Sequence, residues 1–172
     1  LQVLLQAFLN FNILVDISEI KVKNIFLKLK KYKITNISAT PTFYRKLLMQ
    51  SKGKNNILNR ISVGGEISNK NLFINLKKLF PIAKVLNIYA STEAGTILAS
   101  KNEKFIIPSK LRSLVKIKNG MLLIHKSIVA KNINGYINKN WYDSKDRVKL
   151  NNDGKFVFIG RESSFINTGG YK

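Results

Sequence analysis

The sequence predicts an α/β protein in which a parallel sheet with covering helices is followed by a smaller, mostly antiparallel, barrel-like β region. Apolar runs alternate with amphipathic stretches as far as Tyr89, which is typical of strand-helix-strand units. Beyond about residue 100, short alternating runs take over and are separated by turn pairs such as Asn119-Gly120. We therefore expect an α/β subdomain over residues 1–104 and a β-rich subdomain over residues 105–161.

The first elements follow from hydrophobic spacing. Residues 1–9 are apolar with polar interruptions and predict a core helix, and the apolar run 13–15 predicts a buried strand. Ser18 is the expected cap of a second helix, whose apolar residues recur at helical spacing and whose last turn is rich in lysine. Residues 34–39 are the next predicted strand.

Thr40-Pro41 is a strong start for the following helix, because Thr caps free amides and Pro fits the first turn. An apolar stripe along this helix predicts either core packing or the wall of a ligand pocket. It consists of Phe43, Tyr44, Leu47 and Leu48.

A strand over residues 60–63, a helix capped by Ser68 and stopped by Pro81, and a strand over residues 84–89 complete the predicted parallel sheet. Four later runs are expected to form the β region, and turn pairs at Asn134-Gly135 and Asp153-Gly154 separate some of them. The runs span residues 121–124, 127–130, 147–150 and 155–159.

Composition limits the class of protein. A hydrophobic fraction of 45% over 172 residues allows a proper core. The absence of cysteine excludes disulfides, thiolate zinc sites and a cysteine nucleophile. His125 is the only histidine, so we interpret it as a packing or surface residue and not as a catalytic base. No segment resembles a signal peptide or a membrane span, and we expect a cytoplasmic location.

The net charge is +21, from 30 Lys and Arg against 9 Asp and Glu, and predicts attraction to polyanions. The basic residues are spread along the chain among many Asn and Ile, which favours compositional drift over a selected nucleic-acid surface. No specific nucleic-acid partner is expected, although a basic nucleic-acid-binding module remains the alternative.

Two predicted strands end in residues whose side chains or backbone can bind a ligand. In an open parallel sheet, ligands bind beyond the carboxyl ends of the strands, where Gly64-Gly65-Glu66 and the YASTE run Tyr89–Glu93 both lie. The hydroxyl of Thr92 can donate to a phosphate oxygen, and Glu93 can ligate magnesium. Each motif also has a plain interpretation, the first as a tight turn and the second as a helix start or solvated loop.

A third group lies in the β region. Asp146 stands in WYDSKDRV, and Arg161 follows the last predicted strand. A carboxylate accepts two hydrogen bonds from a ribose diol, and a guanidinium can reach the same sugar or a phosphate.

Taken in order, these motifs resemble the adenylate-forming superfamily of acyl-CoA and aryl-CoA synthetases, peptide-synthetase adenylation domains and firefly-type luciferases. The resemblance rests on VGGE at 63–66, YASTE at 89–93, WYDSKDRV, NNDGKFVFIGR ending at Arg161, and INTGGYK at 166–172. It implies attack of a carboxylic acid on the α-phosphate of ATP with Mg²⁺ present. The acyl-adenylate then passes its acyl group to coenzyme A or to a carrier-protein phosphopantetheine.

The resemblance also implies roles for individual residues. Thr92 and Glu93 form the catalytic pair, with Glu93 as magnesium ligand, and Asp146 and Arg161 hold the ribose and phosphate. The rest of the implied nucleotide site comprises Gly64, Gly65, Glu66, Tyr89, Ala90 and Ser91, and the implied acyl pocket comprises Phe43, Tyr44, Ala94 and Gly95.

Some positions depart from the superfamily pattern. Ala90 stands where Gly is usual, and Ser144-Lys145-Asp146 replaces Thr-Gly-Asp, a change that can alter the loop presenting Asp146. Residues 162–172 resemble the hinge to a C-terminal domain. Ser163 stands where the superfamily frequently has Asp or Lys, and Asn167 stands where it often has Lys.

The phosphate loop and the catalytic lysine of the superfamily are expected upstream of Leu1 and beyond Lys172. We therefore expect the rest of a longer chain as a partner, and no acyl-adenylate formation by these residues alone. A non-catalytic nucleotide-binding or scaffold descendant remains an alternative.

Overall fold

The structure, a computed structural model, describes residues 2–16, 24–51, 53–131, 136–138 and 140–162. Its contacts divide the chain into two compact units. The first comprises Leu1–Ala90 and Gly95–Glu103, and the second comprises Ser91–Ala94 and Lys104–Lys172. The short segment Ser91–Ala94 thus groups with the second unit, although the residues on both sides of it belong to the first.

The first unit contains four helices and a four-stranded sheet among its described residues. The helices are α1 (Gln2–Leu9), α2 (Ile25–Lys31), α3 (Pro41–Met49) and α4 (Lys70–Leu79). The strands are β1 (Asn36–Ala39), β2 (Arg60–Gly64), β3 (Lys84–Ser91) and β4 (Gly95–Ser100), in the order β1-β2-β3-β4. β1, β2 and β3 run parallel, which confirms the predicted parallel sheet.

The helix caps follow side-chain chemistry. Thr40 caps α3 as predicted, since its hydroxyl accepts from the amide of Phe43. The prediction of Ser68 as the next cap is wrong by one residue, because the side-chain oxygen of Asn69 accepts from the amide of Leu72 at 3.0 Å. Asn is as good a cap as Ser, and here it lies directly before the helix.

The core of the first unit lies between its helices and the sheet, and the stripe of α3 contributes to it. Tyr44 and Leu47 are fully buried, as the core interpretation predicts. The hydroxyl of Tyr44 shares its one hydrogen between the carbonyl oxygens of Ser62 and Ile37, at 3.0 and 3.2 Å, and is thereby satisfied inside the core. Burial raises the pKa of Tyr44 well above its ordinary value.

Two expectations near the amino terminus are wrong. α1 forms, but Phe8 is 76% exposed, so it is not a core helix in this structure. The run 13–15 forms no strand, and Ile13 is 94% exposed. Phe11, just before this run, adopts a left-handed φ of 52°. The described sheet ends at β1, so this run pairs with no described strand. Ser18 lies outside the described residues.

The second unit is an antiparallel sheet. Its strands are β5 (Val115–Lys118), β6 (Met121–His125), β7 (Tyr136–Asn138), β8 (Trp141–Leu150) and β9 (Phe156–Arg161). They run in the order β5-β6-β8-β7, with β9 also paired to β8. The antiparallel prediction is confirmed, but the sheet formed by these described strands is open and not barrel-like, because β5 and β7 remain separate edges.

Of two local predictions for the second unit, one is confirmed and the other is wrong. Asn119 and Gly120 have φ values of 52° and 73°, as the predicted two-residue hairpin between β5 and β6 requires. The strand expected over 127–130 is wrong, because Lys126–Ile128 forms a 3₁₀ turn. There the ring nitrogen of His125 accepts from the amide of Ser127, and its ring packs edge-on against Trp141.

No helix in the described part of the chain is long and apolar enough to cross a bilayer.

Gly64 provides a test of the sheet's close packing. A Cβ placed there would lie 2.9 Å from the carbonyl oxygen of Ile88, its register partner in β3. We expect Gly64→Ala to lower the free energy of unfolding by about 1–3 kcal/mol, because backbone must shift to accommodate the methyl group. Gly160→Ala in β9 is the matched control, since nothing lies within 4 Å of its added Cβ. Equal losses in urea unfolding of the two variants would contradict this account.

Candidate functional site

The carboxyl ends of β2 and β3 lie at one edge of the first unit's sheet. Gly64 pairs in register with Ile88, so Tyr89 follows directly at the same edge. Gly65 has a φ of +82°, a conformation that favours glycine, and turns the chain after β2. Tyr89 is half-buried and Ala90 is exposed. The structure therefore brings Gly64, Gly65, Tyr89 and Ala90 together, as expected for parallel strands.

Glu66, which completes the glycine motif, is bound to the start of α3. One oxygen of its carboxylate accepts from both the amide and the hydroxyl of Thr42, at 3.0 and 2.6 Å. The Thr42 hydroxyl is also the main cause that lowers the pKa of Glu66, with help from Thr40 and the charge of Arg45. An ionised carboxylate at a helix N-terminus is favourable, because the free amides there carry partial positive charge. Glu66 thus fixes the glycine turn against α3.

The YASTE run ends a strand and begins a hairpin. β3 continues through Ser91, Thr92–Ala94 form the turn, and β4 begins at Gly95, which has a φ of 64°. A three-residue loop followed by a left-handed glycine is a common hairpin connection. The side-chain oxygen of Ser91 closes the turn by accepting from the amide of Ala94 at 3.2 Å. The alternative of a helix start is therefore wrong.

Glu93 is held at several points within the second unit. Its carbonyl oxygen accepts from the amide of Ala130 at 2.7 Å, which anchors the turn. Its carboxylate is hydrogen-bonded by its own amide, by Ser91 and by the hydroxyl of Tyr142, and Arg161 lies near enough to act through its charge. These contacts, the own amide foremost, lower the pKa of Glu93. The half-buried carboxylate is consequently ionised at neutral pH.

The donor set at Glu93 fits magnesium bound together with a phosphate ligand. Mg²⁺ is usually held by one or two carboxylates, by waters and by substrate phosphates, and not by an all-protein cage. Glu93 offers an ionised carboxylate beside the exposed hydroxyl of Thr92. Within the described ranges no three His, Asp or Glu side chains converge, so a metal ion without a phosphate ligand has no complete site there.

Asp146 and Arg161 are cross-strand partners on β8 and β9. The guanidinium Nε lies 3.7 Å from a carboxylate oxygen of Asp146, and an Nη atom donates to the carbonyl oxygen of Ser144 at 3.4 Å. Asp146 is mostly buried with 17% of its side chain exposed, whereas half of Arg161 is exposed. Glu93, the predicted magnesium ligand, and Asp146 and Arg161, the predicted nucleotide residues, therefore lie in one part of the second unit.

A bulge in β8 presents Asp146. Met121 and Leu123 of β6 pair with Arg147 and Asp143, so β8 advances four residues while β6 advances two. Lys145, within this bulge, has a left-handed φ of 61°. The backbone therefore retains the conformation that glycine favours at this position, although the side chain is lysine.

The side chain of Lys145 joins the bulge to the end of β9. Its ammonium group lies 3.0 Å from Asp143 and 3.3 Å from Glu162, and the amide of Glu162 donates to the carbonyl oxygen of Lys145 at 2.8 Å. The hydrogen bond to Asp143, followed by that to Glu162, raises the pKa of Lys145. Apart from Glu162, the predicted hinge over 162–172 lies outside the described residues.

The expected acyl-pocket residues are divided between the units. Phe43 and Tyr44 lie on α3 with their rings edge-on at 5.6 Å, and Gly95 begins β4 in the same unit. Ala94 belongs to the hairpin turn of the second unit. The fully buried Tyr44 is a core residue, and the pocket assignment stays a prediction.

Sequence reasoning missed three residues of these clusters. Thr42 follows a helix cap and has no distinctive pattern, although its position two residues after Thr40 places it among free helix amides. Tyr142 stands beside Trp141 in a strand and reads as a packing residue. Asp143 is buried and forms an ion pair with Lys145. The sequence signal for this ion pair is that the two opposite charges lie two positions apart.

No protein-family model matches the chain, and no curated protein matches it. Solved structures do match. The o-succinylbenzoate coenzyme A synthetase MenE of Bacillus subtilis, in complex with ATP and magnesium ion, superimposes with a TM-score of 0.61 at 19% identity, covering 88% of this chain and 36% of that one. Escherichia coli MenE with a bound analogue of OSB-AMS gives 0.59 at 23% identity, covering 78% and 32%.

A luciferase-like enzyme from the nonluminescent mealworm Zophobas morio gives a TM-score of 0.55 at 18% identity, covering 84% of this chain and 42% of that one. The Bacillus subtilis enzyme was also solved with the acyl-adenylate intermediate OSB-AMP. These likenesses show that the chain shares the fold of these enzymes, which is the fold that the sequence resemblance implies. The chain spans about a third of the length of the two MenE structures.

The backbone of Lys145 can be tested with two variants that remove the same ammonium group. A non-glycine residue in the left-handed region costs roughly 1–2 kcal/mol, and the extra freedom of unfolded glycine offsets about half of that. We expect Lys145→Gly to be more stable than Lys145→Ala by about 0.5–1 kcal/mol in urea unfolding. The opposite order of stabilities would exclude the left-handed conformation.

The contact between Thr42 and Glu66 can be measured with a double-mutant cycle of Thr42→Val and Glu66→Gln. We expect a coupling of about 0.3–1 kcal/mol at pH 7, because Glu66 is exposed and the charge interaction is screened. The folded-state pKa of Glu66 lies below its ordinary value of 4.5, so this stabilisation is present above pH 4.5 and is lost as the pH falls through the folded-state value. A coupling that is zero at pH 7, or that grows in acid, would contradict the contact.

Proposed function

We propose that this chain is part of an ATP-dependent ligase of the adenylate-forming superfamily, which activates a carboxylic acid as its adenylate and then transfers the acyl group to a thiol. One observation carries the proposal. Glu93, which the resemblance implies as the magnesium ligand, lies with Asp146 and Arg161, which it implies as nucleotide residues, in a fold shared with a synthetase solved with ATP and magnesium ion.

The phosphate end of the proposed site is formed by the hairpin turn and β9. The exposed hydroxyl of Thr92 can donate to a phosphate oxygen, and the guanidinium of Arg161 adds positive charge. Glu93 holds an ionised carboxylate ready for magnesium. When bound, magnesium would offset charge on the phosphate oxygens.

The ribose end is formed by Asp146. Its carboxylate accepts hydrogen bonds and remains accessible at 17% exposure, as binding to two sugar hydroxyls requires.

In the proposed reaction a carboxylate oxygen of the acid attacks the α-phosphorus, and the bond from that phosphorus to the bridging oxygen of pyrophosphate breaks. A thiolate of coenzyme A or carrier-protein phosphopantetheine then attacks the acyl carbon and displaces AMP. The residues described here contribute binding, orientation and charge stabilisation, which account for most of the acceleration in phosphoryl chemistry. We place the remaining parts of the reaction in a longer chain, since these residues span about a third of the MenE structures.

The proposal is tested by ATP/pyrophosphate exchange with the full-length protein and a panel of carboxylic acids. We expect Glu93→Gln to lower exchange by roughly 10²–10³-fold, as the loss of one preorganised electrostatic group does in other enzymes. Asp153→Asn is the matched control, because this exposed carboxylate is held by Lys155 within its own turn. Its exchange should equal that of the wild type.

Two outcomes would contradict the proposed activity. Exchange that survives Glu93→Gln unchanged would remove Glu93 from the reaction. Binding of ATP with no exchange for any acid would favour a non-catalytic nucleotide-binding descendant of the superfamily.

A further inference from the structure

Lys145 stands in the bulge of β8 directly before Asp146, the proposed ribose residue, and its backbone conformation is unusual for lysine. Its φ of 61° lies in the left-handed region, which is unfavourable for any residue that carries a Cβ. Such a conformation persists only where surrounding contacts stabilise it. Because the dihedral angles of one residue set the direction of the next, the placement of Asp146 depends on those contacts.

The carboxylate of Asp143 binds Lys145 at two points. One of its oxygens accepts from the amide of Lys145 at 2.9 Å, and the other lies 3.0 Å from the ammonium nitrogen of the same residue. Asp143 is 8% exposed, so its position is fixed by the packing around it. A fixed carboxylate that holds both the main chain and the side-chain end of one residue restricts the φ of that residue.

The end of β9 holds Lys145 as well. The amide of Glu162 donates to the carbonyl oxygen of Lys145 at 2.8 Å, and the carboxylate of Glu162 accepts from its ammonium group at 3.3 Å. The amide, the carbonyl and the ammonium group of Lys145 are thus all bound, and both partners belong to the second unit. Glycine would adopt the same left-handed conformation without these contacts.

We propose that Asp143 and Lys145 act together as positioning residues for the ribose of the nucleotide: the Asp143 carboxylate holds the left-handed turn at Lys145, and the turn presents Asp146 to the sugar hydroxyls. This inference rests on the proposed function, and it assigns no contact with the nucleotide to Asp143 or Lys145. It also accounts for a lysine at a position where the adenylate-forming superfamily usually has glycine.

The test compares the affinities of the full-length protein for ATP and for 2′,3′-dideoxy-ATP, which lacks both sugar hydroxyls, by isothermal titration calorimetry. We expect the wild type to prefer ATP, and we expect Asp143→Ala to reduce this preference about tenfold, because a misplaced Asp146 loses a charge-assisted hydrogen bond. The affinity for the dideoxy nucleotide should stay at the wild-type value. A loss of stability alone would weaken the binding of both nucleotides equally.

A rescue experiment separates the conformation of the bulge from its charge. Adding Lys145→Gly to Asp143→Ala should restore the preference for ATP, because glycine adopts the turn unaided, whereas adding Lys145→Ala should not restore it. If Asp143→Ala does not fold, the single variants at the half-exposed Lys145 make the same comparison. Lys145→Ala should then reduce the preference, and Lys145→Gly should keep it.

Asp153 provides the matched control, because it makes the same pair of contacts away from the bulge. Its carboxylate accepts from the amide of Lys155 at 3.2 Å and lies 3.1 Å from the ammonium nitrogen of that lysine. Asp153→Ala should leave the preference for ATP unchanged. The positioning role would be overturned by an unchanged preference in Asp143→Ala, by an equal fall in both aspartate variants, or by a failure of Lys145→Gly to rescue.

A wild-type protein that binds neither nucleotide, or that does not distinguish them, would instead refute the ribose contact of the proposed function. The hold of Asp143 on the turn is then tested by NMR, since the left-handed region brings the amide proton of a residue close to its own Hα. We expect the cross-peak between these two protons of Lys145 to be strong in the wild type and weaker in Asp143→Ala. Equal cross-peaks would overturn the hold.

Discussion

The second unit depends on a buried hydrogen bond from the hydroxyl of Ser144 to the carbonyl oxygen of Leu122, at 2.7 Å. The bulge in β8 interrupts the ladder with β6, and this hydroxyl supplies the donor that a strand amide would otherwise provide. The same oxygen accepts from the amide of Asp146 at 3.2 Å, so a side chain with 2% exposure shapes the whole bulge. A buried carbonyl left without a donor costs about 1–3 kcal/mol, which shows how strongly this position constrains the strand.

Charge is distributed unevenly in this strongly basic protein. Four of its nine carboxylates, Glu93, Asp143, Asp146 and Glu162, lie around the bulge and the hairpin turn, with Lys145 and Arg161 as their partners. The surroundings carry a large excess of lysine, which attracts anions at a distance. Near the bulge, the local excess of carboxylates instead favours a cation. The metal-bound nucleotide proposed above as the ligand would meet both conditions.

Much of the fold could be predicted from the sequence because its signals are local. The alternation of strands and helices, the Thr40 cap and the Asn119-Gly120 turn each depend on a few neighbouring residues. β4 escaped prediction because its buried residues Ile97 and Leu98 are adjacent and do not alternate. α1 was expected in the core because its residues are mostly apolar. Apolar composition predicts that a helix is buried, but it does not identify the part of the protein against which the helix packs.

The candidate site was predicted less completely than the fold. Asp146 and Arg161 could be proposed only from their order after the VGGE and YASTE motifs, because each of them taken singly has the pattern of a surface charge. Tyr142 could not, since a buried aromatic residue in a strand has the same pattern whether or not its hydroxyl contacts a distant carboxylate. The hydrogen bond between Glu66 and Thr42 joins residues that are 24 positions apart in the sequence, and a short motif cannot predict such a contact.

The link between Lys145 and Glu162 makes one end of β9 responsive to ionic strength. Both side chains are about half exposed, at 49% and 53%, so dissolved ions screen their attraction over a distance of about 8 Å at physiological salt. The backbone hydrogen bond from Glu162 to Lys145 is insensitive to such screening. In concentrated salt Glu162 therefore keeps its main-chain attachment to Lys145 while the attraction between the two side chains weakens, and the pairing of β8 with β9 is left in place.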